Sequence, residues 1–246
     1  MTNQPPKSNL FSPQYMVNHV KNSIANWLHP AHHVTSYDKI IFHLSYLDQQ
    51  TLFDLVRQAL TQCDDVNNDI QMVIKIRLLK PLMQTASIAF DLSQATTLIN
   101  MAINRRLFMV AMELFCDYVN DYQHADSLRL QILIESFKLN PMSFEVILAC
   151  TPSSLLDAPI TISHGYGHEW SLLHILANIT KNEPHRIQSL KRLIDRLGPK
   201  KAHEDLSRKQ AIHGKTGYRL LKREARATIM AHCQSRDVTS SPYLST

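Results

Sequence analysis

Glycine is scarce in this chain. Five occur among 246 residues and none precedes Gly165, against the roughly 7% of an average protein. A glycine-lined phosphate loop and a series of glycine-dependent hairpin turns are thereby excluded from the first two thirds, which favours helices. Cysteine is sparse too. Cys63, Cys116, Cys150 and Cys233 are far apart and form no CxxC pair, so neither a disulfide framework nor a cysteine zinc cluster is indicated, and a reducing compartment is expected. No run of about 18 apolar residues is long enough for a membrane span. The opening MTNQPPKSNLFSPQY has no apolar core of signal-peptide length. A soluble, cytoplasmic protein without a transmembrane segment is the expectation.

What is present is an ordinary core-forming composition, 44% hydrophobic, enough for one sizeable domain or two small ones. The formal charge is +5, distributed unevenly: Lys181 to Arg236 holds 15 Lys and Arg against 5 Asp and Glu, a balance of +10, leaving −5 elsewhere. Such asymmetry points to an anionic partner, whether an acidic protein surface, lipid or nucleic acid. Solvated helix faces reach the same balance, and the interleaved Glu183, Asp195, Glu204, Asp205 and Glu224 fit that second origin.

Residues 1–12 contain prolines and little apolar periodicity, which predicts a flexible arm. Helical spacing follows. Val17, Val20, Ile24, Trp27 and Leu28 form a stripe that Pro30 ends; Ile40, Leu44 and Leu47, then Leu52, Phe53, Val56 and Leu60, form two more. Val73, Ile76, Leu79, Leu82, Met83, Ile88 and Phe90 predict a more buried pair of helices around Pro81. In TTLINMAINRRLFMVAMELF, residues 96 to 115, the apolar stripes of two helices flank Arg105-Arg106, and the spacing recurs about 32 residues later at Leu130, Leu133, Met142 and Val146. Repeated helix pairs are the economical reading.

That 96–115 segment resembles the ankyrin-repeat pattern, with Thr96, Leu98 and Ala102 at matching positions. Trp170-Ser171-Leu172-Leu173-His174 resembles the start of such a repeat, Ala177 its small position and IQSLKRLIDRLG its second helix, and a third copy runs from Gly214-Lys215-Thr216 to Leu220-Leu221. The resemblance implies that Ser171 and Thr216 cap helices and that His174 bonds back within its own turn. The interval from Leu130 to Leu173 is 43 residues, longer than the 33 of an ankyrin repeat. The excess implies a projecting loop or small hairpin near 151–170. The expected fold is therefore all-α, a solenoid of antiparallel helix pairs that is ankyrin-like in its C-terminal half. Its expected parts are the arm 1–12, helical pairs 13–92, ankyrin-like repeats 93–235 and a disordered tail 236–246.

Candidate chemistry is thin. In HGYGHEWSLLH, His164, His168 and His174 have types that converge on zinc elsewhere, but the glycines and Ser171 read equally as a turn entering a helix, and no cysteine sits at ligand spacing. The cluster His29-Pro30-Ala31-His32-His33 follows a helix end, where imidazoles meet exposed carbonyls. Gly214-Lys215-Thr216 lacks the phosphate-loop glycine five positions earlier, where Lys209 stands. Cys116 and Cys150 read as buried small hydrophobes, and Asp64-Asp65 as a solvated loop pair. No catalytic residue, metal or cofactor is expected.

The expected partner-binding residues are Arg105 and Arg106 at an inter-helix tip, with Tyr166, His168, Glu169 and Trp170 on the insertion. Arg219, Lys222, Arg223 and Arg226 form a basic face opposite Tyr218, Leu221, Ala225 and Ile229. The tail SRDVTSSPYLST resembles the C-terminal signals of effectors that intracellular bacterial pathogens inject by type IV secretion, among which ankyrin-like solenoids are common. That likeness implies delivery into a host cell and a host protein as partner. Two other classes stay open: an electrostatic adaptor for acidic lipid or nucleic acid, and an enzyme of unrecognised class with a site between helices.

Overall fold

The computed structural model describes residues 13–29, 40, 43–63, 66–120, 125–158, 160–162, 168–208 and 215–237. The chain forms two compact units, 1–125 and 126–246. The arm 1–12, the tail beyond Asp237, and His32, His33, Asp64, Asp65, His164, Tyr166 and Gly214 lie outside the described residues.

In the first unit the helices are α1 (Pro13–Leu28), α2 (Gln49–Thr61), α3 (Val66–Thr85), α4 (Leu92–Asn104) and α5 (Phe108–Tyr118). Helix α1 packs on α2, α2 on α4, α3 on α5, and α4 on α5. First helices therefore stack on first helices and second on second, which is the register of a helical repeat. The helices form where the apolar spacing placed them: Leu52, Phe53, Val56 and Leu60 are buried on α2 behind an Asp48 cap, and α4 opens on a capping box of Asp91 and Gln94. Tertiary burial then selects the packed face, with Ala95, Leu98, Ile99 and Ala102 of α4 against Val110, Ala111, Leu114 and Phe115 of α5.

One sequence expectation is corrected here. Residues 70 to 85 are not divided at Pro81, because α3 runs through it to Thr85. Pro81 stands inside the helix, where its missing N–H removes one helical bond, and the buried Leu79, Leu82 and Met83 on either side keep the helix continuous as far as Thr85. Two residues later the chain turns with Ser87 at φ 56; Ile88 N–H donates to the Met83 carbonyl at 2.9 Å and Ser87 N–H to Gln84 at 3.1 Å. The α4–α5 connection repeats the device. Arg106 has φ 63, Leu107 N–H donates to Ala102 at 2.8 Å and Arg106 N–H to Ile103 at 2.9 Å. Both are Schellman endings with a non-glycine residue in the left-handed position. A unit without a single glycine thus still makes tight helix-to-helix turns.

The second unit holds α6 (Ala125–Leu139), α7 (Pro141–Cys150), α8 (Ser153–Asp157), β1 (Ile160–Ile162), β2 (His168–Trp170), α9 (Leu172–Thr180), α10 (Pro184–Leu197), α11 (Pro199–Ser207), α12 (Gly217–Leu220) and α13 (Arg223–Asp237). Helix α7 packs on α10, α9 on α10 and on α12, and α10 on α13, again the stacking of successive pairs. Phe137 and Phe144 meet edge to face at 5.2 Å beside the α6–α7 turn. The segment between α7 and α9 folds as α8 and an antiparallel hairpin, with Ile160 opposite Trp170. Helix α11 has no place in a two-helix repeat; it lies against α9, α10, α12 and α13. Apart from the one hairpin, the regular secondary structure of the described residues is helical.

Candidate functional site

The WSLLH turn is the most constrained polar cluster of the second unit. Ser171 is extended (φ −77, ψ 155) and caps α9, its Oγ accepting from His174 N–H at 3.3 Å and lying 2.7 Å from His174 Nδ1. His174 is 3% exposed, and its Nε2 faces the Arg208 carbonyl at 3.4 Å. A carbonyl only accepts, so the ring proton belongs on Nε2, and Ser171 Oγ–H donates to Nδ1. Asp205 Oδ2 lies 4.0 Å from the same Nδ1, and a cavity of about 120 Å³ opens beside Ser171, Lys201, Asp157 and Asp205.

A serine, a histidine and an aspartate are thus gathered at one place, yet they do not form a catalytic relay. A relay needs the nucleophile on one ring nitrogen and the carboxylate on the other; here both approach Nδ1 while Nε2 is directed to a backbone oxygen. The cluster ties the start of α9 to the end of α11. Gly217 completes the joint: a Cβ there would meet Leu206 Cδ2 at 2.6 Å and His174 Cδ2 at 3.2 Å. Among the described residues, no group of three His, Cys, Asp or Glu is placed to hold a metal ion.

The expected contact residues fall in different units. Arg105 and Arg106 occupy the α4–α5 turn of the first unit and are both exposed. His168 and Glu169 lie in β2, paired with Ile162 and Thr161 of β1, and Trp170 at the end of β2 is half-buried.

The basic segment of the second unit divides into two kinds of residue. Thr216 caps α12 by accepting from Arg219 N–H at 3.3 Å, and the chain leaves helical geometry at Leu221 before α13 starts at Arg223. Arg219, Lys222 and Arg223 are exposed. Arg226 is not part of an open face: its guanidinium donates to the carbonyls of Tyr218 at 2.7 Å and Leu221 at 3.1 Å. It satisfies the last oxygens of α12 and clamps that short helix to α13. Beneath it, the Tyr218 hydroxyl bonds His203 Nδ1 at 2.7 Å, and burial, then contact with Cys233, raises the phenol above its ordinary range.

Three charged residues carry structure that local reasoning missed. Asp69, on α3, is 1% exposed and accepts from Met109 N–H at 3.1 Å and Val110 N–H at 3.0 Å, supplying from another helix the cap that Leu107 cannot give α5. Burial raises its carboxyl above the usual range, and the two N–H donors oppose that shift. Lys75 is fully buried and donates to the His29 carbonyl at the end of α1; burial lowers its ammonium below the ordinary lysine range, with Cys63 opposing. Arg186 donates to Ile179 and Lys138 carbonyls at 3.0 and 2.8 Å. The one signal for Asp69 was its spacing, a charge three and seven residues ahead of the buried Met72 and Ile76.

No family model, curated protein or solved structure matches the chain.

Proposed function

We propose that the chain is a non-enzymatic protein-interaction module of stacked, ankyrin-like helix pairs, and that it acts as a bacterial effector on a host protein. The ankyrin-like reading is supported by the Ser171–His174 turn and by the pairwise stacking of α9 and α10 on α12 and α13. The effector reading draws on the small, polar composition of residues 235–246. Such stacks bind through their faces and inter-helix tips, where side chains vary without disturbing the core.

The observation that carries a binding role is Arg106. It is exposed and holds φ 63 at a position where glycine is the least strained residue; a left-handed conformation costs an L-residue about 1–2 kcal/mol. Strain kept at a solvent-facing cation, with no packing gain, motivates a contact role. Affinity capture from a eukaryotic lysate is the test, comparing the natural chain with Arg105→Ser/Arg106→Gly and with Trp170→Ala. The expected result is a partner lost from at least the arginine variant. Identical captured sets from all three proteins would remove this surface from consideration.

A further inference from the structure

The turns of successive helix pairs in the second unit share one edge. Arg186 joins the α6–α7 turn to the α9–α10 turn through the carbonyls of Lys138 and Ile179. Asn182 Nδ2, in the α9–α10 turn, lies 3.4 Å from Glu224 Oε2 at the start of α13, so the α12–α13 turn is its neighbour. Along this edge stand Lys181, Lys222 and Arg223, all exposed and none with an ion pair or side-chain hydrogen bond to a described residue; Arg219 is exposed one turn away. Of the acids of the edge, Glu183 is ion-paired with Arg186 at 3.0 Å, while Glu224, bonded to the neutral amide of Asn182, keeps its charge and leaves the edge net positive.

Lys181 adds an independent observation. It ends α9 at φ 52 and ψ −137, a strained backbone for any residue with a side chain. The chain also holds positive φ at the uncharged Ser87; at Lys181 comparable backbone strain sits on an exposed ammonium that has no described partner.

We propose that this tip edge binds an extended acidic peptide segment of a partner protein, with Lys181, Lys222 and Arg223 as its charge contacts. Packed helices stand about 8–10 Å apart, and a segment in the extended polyproline II conformation has three residues per turn and advances about 3.1 Å per residue, so acidic residues at every third position lie on one face at about the spacing of adjacent tips. Among the described residues of these turns, no exposed Phe, Tyr or Trp is present to stack on bases, as single-stranded nucleic acid binding uses. The inference goes beyond the capture surface proposed above and stands on other residues, so either can fail alone.

Fluorescence anisotropy with the full chain tests it, using a labelled peptide with glutamate at every third position and a permuted peptide whose glutamates are contiguous. The expected result is tighter binding of the spaced peptide and at least about a tenfold loss in Lys181→Glu/Arg223→Glu. Lys200→Glu/Arg208→Glu, at the start and just beyond the end of α11 and away from the three turns, should change affinity by less than about twofold. Lys181→Gly keeps the test open if charge reversal disturbs folding: it should unfold at higher denaturant yet bind more weakly. No measurable binding, equal losses in the two double variants, or tighter binding of a single-stranded oligonucleotide or of phosphatidylserine vesicles would each overturn the proposal.

Discussion

Arg106 and Gly217 occupy opposite backbone situations, and each makes a prediction. Arg106 holds a left-handed turn that glycine would hold without steric cost. After allowing for the greater freedom of glycine in the unfolded chain, Arg106→Gly should raise stability by about 0.5–1 kcal/mol. A urea titration reads this as a later midpoint with unchanged slope; an earlier midpoint would mean that the arginine side chain packs. Gly217 faces the reverse constraint, since Leu206 and His174 leave no room for a Cβ. Gly217→Ala should lower stability by about 1–3 kcal/mol through overpacking of α12 on α11. These residues also differ in how legible they were. The scarcity of glycine suggested regular helices but could not show that Ser87, Arg106 and Lys181 would take positive φ, because that depends on where the next helix must go.

At the scale of elements, local capping was visible and distant capping was not. Ser171 and Thr216 cap the helices that follow them, and a hydroxyl three residues ahead of its own N–H partner is a pattern that sequence carries. Ser171→Ala should cost about 0.5–2 kcal/mol in a thermal or urea melt. The cap of α5 comes instead from Asp69, some forty positions earlier. Asp69→Ala leaves the buried Val110 N–H and the half-buried Met109 N–H without their cap, an expected loss of about 1–3 kcal/mol. Its pH dependence has a definite sign. Burial raises the folded carboxyl above its ordinary 3.8, so the folded chain holds this proton more tightly than the unfolded one. The associated stability is full below the unfolded value and is lost as pH rises through the folded one. Measured against Asp69→Asn, which cannot titrate, the natural chain should therefore lose relative stability as pH climbs out of the acid range. A rising difference would show that the two N–H bonds outweigh burial.

The whole molecule divides its charge as well as its packing. The second unit carries 17 Lys and Arg against 11 Asp and Glu, while the first carries 9 against 10. Each unit has its own stacked pairs and its own buried apolar set, so residues 126–246 expressed alone should show helical circular dichroism and a cooperative melt. A gradual, featureless transition would show that this unit depends on the first. Among the described residues, no helix is long and apolar enough to cross a membrane.

Periodicity was sufficient for α2 and α4, whose apolar stripes are buried as spaced, but not for the pair expected around Pro81, which is one helix, nor for Met142 and Val146, which the stripe reading buried and the structure exposes. The WSLLH cap and the extra segment before it were expected instead from the ankyrin resemblance; the Ser171 cap is local, and the extra segment folds as α8 and the hairpin. Composition could not separate Arg226, clamped onto the α12 carbonyls, from Arg223, open to solvent; both stand in one basic run. Nor could it tell Pro81 the helix breaker from Pro81 carried inside the continuous α3. Those outcomes belong to the tertiary structure, because burial, the direction of a guanidinium and the partner of a carboxylate are set by which helix lies alongside.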